Sequence, residues 1–345
     1  MGPSPKDGEA NADRPAHPDP AHPDPAHPDP PRELPLVGAH VSTAGSLQEC
    51  GARVRRLGAE AVQVFPSNPR MWRRSTFGVA ETVAFGAELT ARGIPLFVHT
   101  IYLINLASPD DDLREKSSAS LADALLWGTL AGATAVVTHV GSHRGDGFDA
   151  GLTRVTGALE RAEAILRARA AEMSTEIEDP LHAGRAHLGA VPLLLVEGSA
   201  GGGDSLGRDA EELGRLVRAA PFPIGVCLDT AHLFASGIPV HTPDGVTRLL
   251  DDLGEAGCLD CVGLVHLNDS KTPFGSKSDR HENLWDGLLG RAGLMASMTE
   301  ERLLRAPFVL EVPGAEGHGP DRKNIRRARI LRRQAEAVRR SRGSA

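Results

Sequence analysis

The chain has 345 residues, of which 41% are hydrophobic, enough for one large α/β domain or two ordinary ones. No run approaches the ~18 uninterrupted apolar residues of a membrane helix. The N-terminus lacks the features of a secretory signal, and four cysteines (Cys50, Cys227, Cys258, Cys261) are too few for a disulfide framework, so the expectation is a soluble, cytoplasmic protein without a membrane partner. The net charge of −7 hides a basic C-terminus, where residues 321–345 carry ten Lys/Arg against two acids.

Residues 1–33 are of low complexity, with Ala-His-Pro-Asp-Pro repeated three times in tandem. Proline at this density removes backbone donors and favours a solvated chain, so this segment reads as a disordered leader. From Leu34 onward, short apolar runs alternate with amphipathic stretches. Strands are expected at 36–41, 61–65, 95–99, 134–139, 191–197, 224–229, 262–267 and 308–311. Helices are expected at 42–57, 79–92, 111–130, 149–172, 207–219, 243–254 and 291–304, with a basic helix closing the chain. Ile325, Ile330, Leu331 and Val338 would form the buried side of that last helix. Residues 173–190 read as a polar surface loop. This alternation predicts a (β/α)8 TIM barrel over residues 34–340, with 341–345 as a tail; a doubly wound open sheet is the alternative. Cys258 and Cys261 form a lone CxxC, read as incidental because no second pair completes a zinc site.

Metal-type side chains fall at the strand ends. His99, His139, Glu197, Asp229 and His266 close the third to seventh strands, and Glu311 closes the eighth. His232 follows Asp229 by three residues. Asp279 and His281 sit two apart in the loop after His266, a spacing that puts both on one side of an extended chain. A barrel gathers strand C-termini at one rim, whereas an open sheet would spread these groups along an edge. Imidazole with carboxylate is a Zn²⁺ or Mn²⁺ ligand set. Nine such groups are too many for one ion and suit two or three. Glu197 is the sharpest case, because it ends a wholly apolar strand and an ionised carboxylate there needs a partner.

These residues stand in motifs that resemble the endonuclease IV family of apurinic/apyrimidinic endonucleases. The motifs are Gly38-Ala-His-Val-Ser42, Tyr102-Leu-Ile-Asn-Leu106, His139-Val-Gly-Ser-His143, Cys227-Leu-Asp-Thr-Ala-His232, His266-Leu-Asn-Asp269 and Asp279-Arg-His281. The resemblance implies a barrel with three zinc ions, manganese being an alternative at one. It implies that His99, His139 and Glu197 hold one ion. Glu197 would bridge to a second, held also by Asp229, His266 and Glu311, and His232, Asp279 and His281 would hold the third. It further implies a monomer that cuts duplex DNA on the 5′ side of abasic sites and trims blocked 3′ ends, using a zinc-activated hydroxide. Glu197 and Glu311 would be the catalytic carboxylates, with Glu311 orienting the hydroxide. Arg70, Tyr102 and Leu103 would wedge into the DNA, with Trp72 packed beneath their loop.

The chain departs from the family pattern at Val140, at Gly198-Ser199, at Trp285-Asp286-Gly287 and at Leu288, which are expected to tune ligand orientation. Two other functions fit the residues: a sugar isomerase or epimerase on a related metal barrel, and a lesion-binding protein without catalysis.

Overall fold

The computed structural model describes residues 34–177 and 190–343. The leader, residues 178–189 of the insertion and the last two residues lie outside them. In chain order the elements are β1 (Val37–His40), α1 (Leu47–Leu57), β2 (Val62–Val64), α2 (Val79–Ala91), β3 (Leu96–His99), α3 (Asp111–Leu130), β4 (Ala135–Thr138) and α4 (Phe148–Ile177). They continue with β5 (Leu193–Glu197), α5 (Ala210–Ala219), β6 (Ile224–Asp229), α6 (Thr230–Ser236), α7 (Pro243–Glu255), β7 (Val262–His266), β8 (Asp269–Ser270) and β9 (His281–Glu282). The last are α8 (Gly290–Thr299), β10 (Phe308–Leu310) and α9 (Arg322–Gly343).

Eight parallel strands close in the order β1-β10-β7-β6-β5-β4-β3-β2. This is the expected (β/α)8 barrel, and closure excludes the open sheet. Strand alternation divides the apolar residues into two sets. Val62, Val98, Val136, Val196, Leu228 and Val265 face outward and join the helices in the larger core. Ala61, Phe97, Val137, Leu195, Cys227, Leu264 and Val309 fill the barrel interior. Gly38 is needed between the first two strands, because a Cβ there would sit 2.3 Å from the Ala61 carbonyl oxygen.

Three local expectations are corrected. The first helix begins at Leu47 rather than residue 42, because Ser46 Oγ accepts from Glu49 N at 3.2 Å and caps it. α4 runs five residues into the expected 173–190 loop, since nothing between Met173 and Ile177 forbids helical geometry and the first breaker is Pro180. α6 was not foreseen. Asp229 caps it, with Oδ1 accepting from His232 N at 2.9 Å.

α9 buries Ile325, Ala328, Leu331 and Ala335, with Ile330 and Val338 half-buried at the flanks. It continues through Gly343, into the stretch read as a tail. Cys258 and Cys261 are free thiols. Among the described residues, no helix is long and apolar enough to cross a membrane.

Candidate metal centre and groove

One step of two residues above the apolar barrel floor, each strand reaches its last inward position. In the third to seventh and the last strand of the barrel these positions are His99, His139, Glu197, Asp229, His266 and Glu311. His139 and Glu311 lie one residue past β4 and β10. Register holds neighbours level, with Asp229 opposite His266 and His266 opposite Val309, two before Glu311.

Glu197 is the hub. Its Oε2 lies 3.0 Å from His99 Nε2 and 3.3 Å from His139 Nε2. Its Oε1 lies 3.0 Å from His266 Nδ1 and 3.3 Å from His232 Nδ1. Glu311 Oε2 is 3.2 Å from His266 Nδ1. Asp229, while capping α6 through Oδ1, turns Oδ2 toward His281 Nε2 at 3.5 Å. The cap therefore sets the three-residue spacing to His232. The short antiparallel pair β8–β9 folds the loop back, with Ser270 opposite His281. Asp279 Oδ1 then lies 3.2 Å from both His281 Nε2 and His232 Nε2. The inference that Asp279 and His281 share a side is met.

Three groups of donor atoms, each within 4.8 Å of one another, result: His99/His139/Glu197, Glu197/Asp229/His266/Glu311, and Asp229/His232/His281. Asp229 thus joins the third group, which Asp279 also approaches. A tetrahedral zinc at ~2.0–2.1 Å from its donors holds them ~3.3 Å apart. Several pairs above stand at that separation. His232 Nε2 and His281 Nε2 are buried and make no aligned hydrogen bond, only the 3.2 Å approaches of Asp279 Oδ1, an arrangement that suits nitrogens turned toward a shared cation. The donor set fits zinc.

Electrostatics point the same way. Burial opposes ionisation of Glu197, yet His139, His266 and His232 hold its carboxyl well below the usual range. Burial likewise opposes Asp279 and Glu311, but facing imidazoles depress both. Burial opposes charge on His99, His232 and His266, but adjoining carboxylates raise the first two, and Cys227 with Glu311 and Glu197 raises His266. His139 and His40 are lowered, mainly by burial. The carboxylates are held ionised, and protons or cations must balance them. Cys227 lies beneath, its thiol pushed by burial up to about 12, and it belongs to none of the three donor groups.

Beside the cluster runs an open groove of about 1710 Å³, lined by His40, Glu311 and Tyr102 and by Arg53, Arg56, Arg70, Arg73, Arg74 and Arg322. Six guanidiniums along one groove suit a polyanion. Tyr102 is 56% exposed, with its ring edge-on to Phe65 at 5.2 Å, and its N–H donates to Pro69 O at 2.9 Å, joining its loop to that of Arg70. Arg70 is exposed and Leu103 half-buried against the core. Trp72 is 43% exposed rather than packed beneath the loop, and it lines a separate cavity with Pro66, Ile101 and Ala124.

Of the departures, Gly198 offers its carbonyl to His232 Nδ1 at 3.0 Å, while Val140 points into the outer core. Trp285 adopts φ +73°, a left-handed conformation that favours glycine. It is held by guanidiniums of Arg291 and Arg327 at 5.1 and 5.2 Å from its ring. Asp269 ties the segment down, accepting from Trp285, Gly287 and Gly290 N–H at 2.9–3.2 Å. Leu288 is 58% exposed.

Sequence reasoning missed three residues. Asn268 donates to Asp229 Oδ2 at 2.7 Å and accepts from the Glu311 backbone N–H at 2.8 Å, orienting one carboxylate and fixing the backbone of the other. His40 and Gln63 fill the last inward positions of β1 and β2. Counting by twos from Gly38 and Ala61 would have found them.

The fold and site define a (β/α)8 barrel with a cluster of imidazoles and carboxylates at its C-terminal mouth, arranged in groups that could hold metal ions. Residues 52–335 match the family model of the xylose isomerase-like TIM barrel. A protein from Nitratidesulfovibrio vulgaris named probable endonuclease 4 is 36% identical over 302 residues, 87% of this chain and 100% of that one. The crystal structure of endonuclease IV from Thermus thermophilus superposes with a TM-score of 0.70 at 36% identity, covering 87% of this chain and 100% of that one. The chain belongs to the endonuclease IV family of the xylose isomerase-like TIM barrels. A D-tagatose 3-epimerase-like protein, with a TM-score of 0.60 at 13% identity over 89% of this chain and 99% of that one, shares the fold alone.

Proposed function

We propose that this chain is a zinc-dependent endonuclease that hydrolyses the phosphodiester 5′ to abasic sites in duplex DNA and trims blocked 3′ ends. The observation that carries the reading is the set of three donor groups joined by shared carboxylates beside an arginine-lined groove that Glu311 also lines. Relatives named endonuclease 4 support the activity. His99, His139 and Glu197 would hold one ion. Glu197, Asp229, His266 and Glu311 would hold a second, and His232, His281 and Asp279 a third, with manganese an alternative at one position. Bound there, zinc supplies Lewis acidity toward water and toward phosphoryl oxygens.

The protein's own groups do the rest. Glu311, 14% exposed at the edge of the groove, accepts a hydrogen bond from the attacking water and aims it. Glu197 keeps four imidazoles in place. Arg70 and Arg73 neutralise flanking phosphates, and Arg70, Tyr102 and Leu103 occupy the gap left by the missing base. The three donor groups need no second subunit to complete them, and the protein is read as a monomer. A DNA substrate supports a cytoplasmic location. Residues 34–340 would form the catalytic domain.

A duplex with one abasic site decides the matter. Zinc-loaded protein should nick it on the 5′ side, leaving a 3′-hydroxyl, and chelation should stop the cut. Binding without cleavage would favour a lesion-binding protein, and turnover of a ketose without nicking would favour an isomerase.

A further inference from the structure

Gln63 is fully buried at the last inward position of β2 and touches three rim groups at once. Its Nε2 donates to Glu311 Oε1 at 2.6 Å and lies 3.0 Å from His40 Nδ1. Its Oε1 lies 2.9 Å from His266 Nε2. Chemistry fixes which way the amide faces. Turned over, its oxygen would meet the Glu311 carboxylate at hydrogen-bond distance, two acceptors with no proton between them. The amino group therefore faces Glu311, and the oxygen faces His266.

From this we infer that Gln63 is a positioning residue that sets the tautomers of two histidines. Its oxygen can only accept, so His266 carries a proton on Nε2. That leaves His266 Nδ1, 3.0 Å from Glu197 and 3.2 Å from Glu311, as the nitrogen offered to the central donor group. The second amino proton of Gln63 goes to the lone pair on His40 Nδ1. His40 thus keeps its proton on Nε2. His40 lines the groove beside Glu311. With Nδ1 turned to Gln63, its Nε2–H is an uncharged donor for an anionic oxygen lying there. One amide thereby orders a metal-side nitrogen and a substrate-side donor together. The metal half of this assignment rests on the zinc-centre reading above; the His40 half does not.

The test uses full-length protein in two measurements. Long-range ¹H–¹⁵N spectra of the zinc-free wild type should show His40 protonated on Nε2 and bare at Nδ1. In Gln63→Met no donor faces Nδ1, and Glu311 Oε1, 3.4 Å from that nitrogen, is left to accept from it, so His40 should switch its proton to Nδ1. Zinc competition against a chelator should show one ion bound ~10–100-fold more weakly in Gln63→Met, the usual loss when a partner orienting a ligand is removed. A wild-type His40 protonated on Nδ1, or wild-type zinc affinity in Gln63→Met, would overturn the assignment. If the variant fails to fold, the wild-type spectrum still decides it. A wild type that takes up no zinc would sink the metal reading, and the His40 spectrum would then decide the tautomer assignment alone.

Discussion

Replacing Glu197 with Gln tests the centre at its hub. The side chain is 1% exposed and faces four imidazole nitrogens at 3.0–3.3 Å, two on each oxygen. The amide keeps the shape but loses the charge, and its amino end must face one of the two histidine pairs. Breaking a buried charge cluster by removing one partner costs ~3–5 kcal/mol. For a domain of this size that lowers the melting temperature by on the order of 10 °C. The metal consequence is more specific. Glu197 belongs to two of the three donor groups, and the third is Asp229/His232/His281. Elemental analysis after dialysis should therefore find two ions lost and one kept. Incision of an abasic duplex should fall below detection. A Glu197→Gln protein with its full zinc complement and wild-type cleavage would refute the hub role.

Glu311→Gln should reduce incision by ~10²–10³, the usual effect of losing one group aimed at the reacting centre. Gel-shift affinity for the lesion should hold, because the groove arginines are untouched; a parallel loss of binding would contradict the role. Zinc-free protein should be most stable at mildly acidic pH. The stabilisation from the raised His99, His232 and His266 is complete below ~6.5 and is lost as pH rises through their folded values. His139 and His40 act in the opposite sense, two rings against three. The lowered Glu197 and Asp279 stabilise above ~4 and lose that as pH falls through their folded values. Zinc should reverse the upper limb, since ligand imidazoles must be unprotonated; thermal scans across pH with and without chelator read the sign. Arg70→Ala should weaken lesion binding and lower the slope of log affinity against log salt by ~1, whereas an unchanged slope would place Arg70 off the DNA.

Much of the site was legible in the chain because a strand's side-chain period is two and a barrel's strand ends share one rim. An apolar run ending in His, Glu or Asp thus already names an inward group: Glu197 after Leu193–Val196 and Asp229 after Ile224–Leu228 needed no coordinates. Helix boundaries were legible where caps are local, as at Asp110 before α3, whose side chain accepts from Leu113 N. Other features depended on partners distant in sequence. Gln63 looks like an ordinary strand residue until closure sets it against Glu311, 248 positions away. Trp72 could be judged exposed only once the loop's path was known. Asp229 entered a second donor group because α6 turns His232 back over it. Local sequence determined which residues end each strand and on which face. Tertiary closure alone decided which of them meet, because those distances depend on the register of strands that the chain brings together from far apart.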